Sequence, residues 1–322
     1  MGARDRWAGE LGGARQADSE GAVTLGLRYQ PPLAWARMLG YLAGRAIAGV
    51  EHVSTGVYRR TVTIDGEPGV LELSSGPADQ LRLRVDLPPG GGLDPHRVQR
   101  ARQIFNLDAD ATDATALLSA DPIIGSLLQT CPGVRPPGTW DPYETGVRAI
   151  AGQLVSVAAA NTVIARLVQR HGTRLPGLRT VGLSHLFPSA HELAGADLTG
   201  LGLPPVRARA INAFARAVAD GEVVLDRSRT LDELVTSITA IAGLGPWTAH
   251  YLALRLGESD AFPATDLGLR RALEHRTGER ITGAAANRLA ERWRPHRAHA
   301  VAQLWFSDRG ASVPEDVAAR PH

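Results

Sequence analysis

"IAGLGPWTAHYLALR", Ile241 to Arg255, decides how the rest of this chain is to be read. The segment before it, "DELVTSITA", carries helical apolar spacing and runs into Gly243-Leu244-Gly245; "PWTAHYLALR" reads as a second helix. Pro246 suits the first turn of that helix, where its missing N–H is not needed. The two glycines let the backbone turn sharply and present bare N–H groups. Those groups and the helix dipole favour an anion, most naturally a phosphate. Two helices joined by a G-x-G turn make a helix–hairpin–helix that grips a nucleic-acid backbone. The plainer alternative is an αα-corner whose glycines serve packing.

Downstream, "DAFPATDLGLRRALEHRTG" leads into another helix with Asp266 at its start. Asp is a preferred N-cap, and that reading stands on its own. It is also compatible with chemistry, because a carboxylate at a helix start can face developing positive charge. Loss of a base from deoxyribose develops an oxocarbenium ion, as in glycoside hydrolysis.

Upstream, "DPYETGVRAIAGQLVSVAAANTVIARLVQRHG" has helical periodicity and reads as one long helix or two, with Leu154 continuing the apolar stripe. Ser189 to Glu192 and Thr230 to Glu233 have the spacing of capping boxes. "GLGLPPVRARAINAFARAVADGEV" is a further helix behind a Gly/Pro turn, and "TGAAANRLAERWRPHRAHAVAQLWFSDRG" supplies one or two more. The first part of the chain differs. "VTLGLRY" is strand-like, and Trp35, Met38, Leu39, Leu42, Ala46 and Ile47 form a helical stripe. "VYRRTVTIDGEPGVLELSS" reads as two strands around Asp65-Gly66, and Leu81, Leu83, Val85 and Leu87 alternate on one face. "PPGGGLDP", Pro88 to Pro95, is a break. The expected fold is mainly α with an α+β N-terminal domain. It comprises a flexible tail over 1–22, a small antiparallel-sheet domain over 23–92, and a two-lobed helical domain over 93–322 with the hairpin at about 231–256.

Composition sets the bounds. The chain has 322 residues, a net charge of +2, and 35 basic residues, every one an arginine. No lysine amine is therefore available for a Schiff base, and a permanently protonated guanidinium cannot replace it. Cys131 is the only cysteine, which excludes an internal disulfide and a Cys-ligated cluster within the chain. No apolar run approaches the ~20 residues of a membrane span. A cytoplasmic, nucleoid-associated monomer is expected. His296-x-x-His299 has metal-like spacing but no carboxylate or cysteine in frame.

These blocks, in this order, resemble the helix–hairpin–helix DNA glycosylases, and within them the bacterial alkylbase glycosylases of 3-methyladenine DNA glycosylase II type. "LRYQPPLAWARMLGYLAGRAI" is similar to the opening of the family's N-terminal domain. "DPYETGVRAIAGQLVSVAAA" resembles its wedge-bearing helix, "LGLPPVRARAINAFA" and "IAGLGPWTAHYLALR" its hairpin lobe, and "ERWRPHRAHAVAQLWF" its C-terminal helices. The resemblance implies Asp266 as catalytic aspartate. It implies Trp247, Tyr251, Trp305, Phe306 and Tyr41 as base-pocket aromatics, with Leu267 beside them. Leu154 becomes the wedge that fills the gap left by a flipped base, and Gly243, Gly245 and Thr248 hold a DNA phosphate. A structural monovalent cation, Na+ or K+, would sit on the carbonyls of Thr239, Ile241 and Leu244; no other cofactor is required. From spacing alone, the aromatics and Leu154 read as core. Two positions depart from the relatives, Leu267 where they carry tyrosine and His296 where they carry tryptophan.

The resemblance implies the mechanism as well. Bifunctional relatives place an attacking lysine at the position of Trp247; this chain should use water and be monofunctional. Asp266 would stabilise the oxocarbenium-like sugar and orient or deprotonate that water. A cationic alkylated base in duplex DNA leaves without a strong general acid, and none is evident for a neutral lesion. Two alternatives stay open: a glycosylase for an oxidised or deaminated base, and a non-enzymatic DNA-binding helix–hairpin–helix protein.

Overall fold

The computed structural model describes residues 16–17, 22–64, 66–86, 93–176 and 182–307. Most of the expected tail, Asp65, Leu87 and most of the Pro88–Pro95 break lie outside the described residues. Within the expected tail, Gln16–Ala17 instead pairs as a strand and Ala22 opens another, so backbone pairing reaches further toward the N-terminus than polar composition suggested.

The N-terminal unit is an antiparallel sheet of β1 (Gln16–Ala17), β2 (Ala22–Arg28), β3 (Glu51–Ser54), β4 (Val57–Ile64), β5 (Glu67–Ser75) and β6 (Gln80–Asp86) in the order β1-β2-β6-β5-β4-β3. Alternation decides its inner face: Leu81, Leu83 and Val85 of β6 are buried together with Leu25 and Leu27 of β2. Helix α1 (Trp35–Ala43) covers that core with Met38, Leu39 and Leu42. The expected stripe continued to Ala46 and Ile47. Instead the Gly44 N–H closes the helix on the Gly40 carbonyl, and Ile47 is buried from a turn.

The rest is helical. In chain order come α2 (Pro95–Ile104), α3 (Thr112–Ser119), α4 (Ile124–Thr130), α5 (Pro142–Ala151), α6 (Val157–His171), α7 (Ala190–Ala194) and α8 (Pro205–Ala219). Then follow α9 (Leu231–Thr239), α10 (Pro246–Leu256), α11 (Leu267–Thr277), α12 (Gly283–Ala290) and α13 (Arg297–Ser307). Both capping boxes form, at Ser189/Glu192 and Thr230/Glu233. The segment read as one long helix or two is two. Asp141 caps α5, and Ser156 caps α6 by accepting the Ala159 N–H. Between them lies a five-residue loop, Gly152 to Ser156.

Two helical lobes result. In one, α5 packs on α8 and α10, so closely that a Cβ at Gly146 would meet the Phe214 ring at 2.3 Å. In the other, α13 packs on α4 and α11, and buried Trp293 donates its indole N–H to Asp121 Oδ2 at 2.8 Å. A buried ionic network joins sheet to helices. Arg60 Nη2 of β4 meets Glu144 Oε2 of α5 at 2.6 Å, and Arg148 Nη1 of α5 reaches Glu51 Oε2 of β3 at 2.8 Å. Burial alone would raise the Glu51 carboxyl, but Arg148 and Arg60, with the Tyr58 hydroxyl and the Ile47 N–H, hold it below its ordinary value. No helix among the described residues is long and apolar enough to cross a membrane.

Candidate active site

The hairpin forms where its residues predict. α9 ends at Thr239, Gly243 adopts φ +89°, Leu244 buries its side chain, and Gly245 caps α10 with Pro246 in first place. A left-handed φ at Gly243 is the reason for glycine there. Among the described residues no acceptor takes the N–H groups of Gly243, Gly245 or Trp247. They stand at the positive end of a helix, the arrangement that receives an anion. Thr248 does not join them. Its side chain is 1% exposed, its hydroxyl accepts the Gln153 amide N–H at 2.9 Å, and its backbone N–H donates to the Gly245 carbonyl. The expectation that Thr248 holds phosphate is thus corrected: helix geometry turns the residue after Trp247 toward the interior.

Asp266 caps α11, as its residue type predicts, with Oδ1 accepting the Leu269 N–H at 2.9 Å. The carboxylate also takes an indole from each lobe. Trp247 Nε1 of α10 donates to Oδ2 at 3.1 Å, and Trp305 Nε1 of α13 donates to Oδ1 at 3.0 Å. Two residues on, a Cβ at Gly268 would stand 3.3 Å from Oδ1, so glycine keeps that side of the carboxylate uncrowded.

The aromatic residues do gather. Trp247 and Tyr251 stack at 5.5 Å with a 22° tilt, and Tyr251 lies 5.9 Å from Trp305. Tyr41 stacks against Phe306 at 5.4 Å and Trp305 at 6.4 Å. Trp247 and Tyr251 are half-buried, whereas Tyr41 and Phe306 are fully buried behind Trp305. The core reading therefore suits Tyr41 and Phe306; Trp247 and Tyr251 form the accessible wall, and the largely buried Trp305 closes it beside the carboxylate. Leu267 takes no part in the stack and is 56% exposed at the start of α11.

Sequence reasoning missed the cations behind these rings. Arg255 spends Nε and Nη2 on the Gly138 carbonyl, at 3.0 and 2.6 Å, and donates Nη1 to the Tyr251 hydroxyl at 2.9 Å. The Arg45 guanidinium lies 3.8 Å above the Tyr41 ring. Burial would push the Tyr251 hydroxyl up, but Arg255, Arg45 and Arg148, with a hydrogen bond to Tyr41, hold it below its ordinary value. The i,i+4 spacing of Tyr251 and Arg255 was the available signal. His250, unassigned by sequence, accepts the Phe262 N–H on Nδ1 at 3.3 Å and steadies the loop before Asp266; burial first, then Arg297, lowers its pKa. Arg297 pins the same loop through Asp260 Oδ1 at 2.7 Å.

Leu154 is 96% exposed at φ +65°, which overturns its reading as core. The stripe was broken by the loop, which carries Leu154 out of the α5 face. His296 and His299 face each other with ring centres 6.5 Å apart, and no third His, Cys, Asp or Glu of the described residues completes a metal group. Cys131 is buried.

Two family models match successive stretches of the chain. Residues 24–141 match the AlkA N-terminal domain, and residues 147–296 match the HhH-GPD superfamily base excision DNA repair protein model. A probable bifunctional transcriptional activator/DNA repair enzyme AlkA of Mycobacterium tuberculosis is 38% identical over 89% of this chain; the match spans 57% of that relative. DNA-3-methyladenine glycosylase 2 of Escherichia coli is 32% identical over 88% of this chain and 96% of its own. The solved 3-methyladenine DNA-glycosylase from Archaeoglobus fulgidus shares the fold, with a TM-score of 0.74 at 21% identity over 90% of this chain and 99% of that one.

Proposed function

The chain belongs to the HhH-GPD superfamily of base excision DNA repair proteins, and on that premise we propose that it is a monofunctional DNA glycosylase for alkylated bases. Its substrate is duplex DNA carrying bases of the 3-methyladenine and 7-methylguanine type, and its product is an abasic site. The observation that carries this reading is the Asp266 carboxylate, held by indoles from both lobes beside an aromatic wall.

The chemistry is hydrolysis. The C1′–N bond breaks with its electron pair leaving on the base, and water forms the new C1′–O bond and releases a proton. As the sugar becomes cationic, a fixed carboxylate stabilises it without reorganisation. Three N–H donors already occupy Asp266, from Leu269, Trp247 and Trp305, out of about four lone-pair sites on a carboxylate. That leaves one direction for the sugar and favours an electrostatic role over proton abstraction. A cationic base gains ~1–2 kcal/mol from a desolvated aromatic face. Because Arg45 and Arg255 already face the tyrosine rings, the base's charge is drawn to Trp247 and Trp305.

Gly243 and Gly245 grip a phosphate by backbone N–H groups, and exposed Leu154 fills the place of the flipped base. A monovalent cation fits the turn in part. The Ile241 carbonyl accepts the Leu244 N–H at 3.0 Å, while no backbone donor of the described residues takes those of Thr239 and Leu244. Such an ion would offset the phosphate's charge. Tryptophan at position 247 provides no amine for strand cleavage.

Base release from methylated duplex DNA tests this reading, with wild type compared to Asp266→Asn. Wild type should release methylated purines, and the variant should lose about a hundredfold or more in rate while still binding DNA. Equal release by both would reduce Asp266 to a helix cap. No release by either, with binding intact, would favour the non-enzymatic module.

A further inference from the structure

The loop that carries Leu154 is tied to the catalytic carboxylate by side chains. Gln153 precedes Leu154, and its Nε2 donates to Thr248 Oγ1 at 2.9 Å. Thr248 follows Trp247 in the first turn of α10, and the Trp247 indole donates to Asp266 Oδ2 at 3.1 Å. The path from Leu154 to Asp266 thus alternates covalent neighbours with two hydrogen bonds. The first of these bonds ends on a hydroxyl that is almost wholly enclosed, so solvent competes little for it. The loop's other ends are also anchored. The Gly152 N–H closes on the Arg148 carbonyl at 2.9 Å, and Ser156 caps α6. Leu154 alone is unsupported, at a positive φ that costs a side-chain-bearing residue of order 1 kcal/mol or more.

We propose that Gln153 and Thr248 are positioning residues that couple entry of Leu154 into the duplex to the seating of the Trp247 indole on Asp266. The inference rests on the glycosylase reading. A plug pressed into the base stack transmits load to the residue beside it. Here that residue is bonded to the first turn of the helix that carries a pocket wall and one of the carboxylate's donors. A loop displaced from its seat would shift that turn and loosen the indole from Oδ2. Seating of the loop favours the bonded arrangement, so the carboxylate is best ordered when the flipped nucleotide needs it.

The test is single-turnover base release at saturating protein, with DNA affinity measured separately, for Gln153→Leu, Thr248→Val, their double variant and Thr248→Ser. Valine matches threonine in shape, and Gln153 is only partly buried, so folding is preserved and is checked by thermal melting. Each single variant should slow release about three- to tenfold, the scale of one lost hydrogen bond, with affinity within about twofold of wild type. The double variant should be no slower than the slower single, since both remove the same bond. Thr248→Ser, which keeps the hydroxyl, should restore the rate. Wild-type rates in both singles, multiplying effects in the double, or a loss confined to affinity would each overturn the coupling. Absence of release by wild type would instead remove the glycosylase reading, and this inference with it.

Discussion

Asp266 shows how far one residue can be read. Its type and place announce an N-cap, and the cap is there. The two indoles that share the carboxylate lie 19 and 39 positions away, and no local pattern announces them. They are not equivalent. Oδ1 keeps the Leu269 N–H if Trp305 loses its donor, whereas Oδ2 depends on Trp247 among the donors found. Replacing each tryptophan with phenylalanine keeps a ring and removes the N–H. Trp247→Phe should slow single-turnover base release about ten- to a hundredfold, the scale of a hydrogen bond to a charged group, and Trp305→Phe should cost less. An equal or reversed order would show that ring stacking, not donation to the carboxylate, governs the rate. Thr248 teaches the opposite lesson. A hydroxyl beside a phosphate-binding turn is an obvious ligand by sequence, yet helix rotation decides its direction, and it points inward.

At the scale of elements, the hairpin was legible because every determinant is local: helical spacing, two glycines and a proline. Its two glycines nevertheless differ. Gly243 sits at φ +89° with Ala210 Cβ 3.3 Å from the place of a new Cβ, while Gly245 has φ −118° and open space around it. Gly243→Ala should destabilise the protein by about 1–2 kcal/mol in urea unfolding. Gly245→Ala should leave stability nearly unchanged and weaken DNA binding, because its methyl would occupy the phosphate's approach. Equal affinity of Gly245→Ala and wild type would remove Gly245 from the phosphate site. The α5–α6 break was less legible. An apolar stripe runs through it, and stripe continuity carries no information about a loop that points one member outward. The missed local sign was Ser156, a residue of N-cap type that does cap α6.

For the whole molecule, the sheet and α5 are joined by two arginines and two glutamates, the buried Arg60, Glu51 and Glu144 and the half-buried Arg148. Removing one member leaves an uncompensated charge, so Arg60→Met should cost about 3–5 kcal/mol in global unfolding. A change below about 1 kcal/mol would mean the junction is held by apolar contacts alone. His299 adds a pH dependence. Burial, with His296 and Arg135 nearby, holds its pKa down at about 4, against 6.5 ordinarily. The unfolded chain therefore binds the proton first. Stability should be full near neutral pH and fall as pH drops through 6.5 toward about 4, by up to about 3 kcal/mol. The gap between urea midpoints at pH 7 and pH 5 should narrow in His299→Leu, the remainder falling to groups such as His250; an unchanged difference would assign the acid sensitivity elsewhere. What the sequence by itself determined is whatever depends on neighbours a few positions apart: strand alternation, helix caps, the glycine turn, and the absence of a lysine nucleophile. Only the tertiary structure decided that Trp247 and Trp305 meet on one carboxylate, that Tyr41 and Phe306 retreat behind them, that Arg255 faces Tyr251's hydroxyl from a carbonyl seat on another segment, and that Leu154 stands free. The physical reason is that these contacts depend on how helices cross and rotate against one another. Residue spacing within each helix leaves that geometry undetermined.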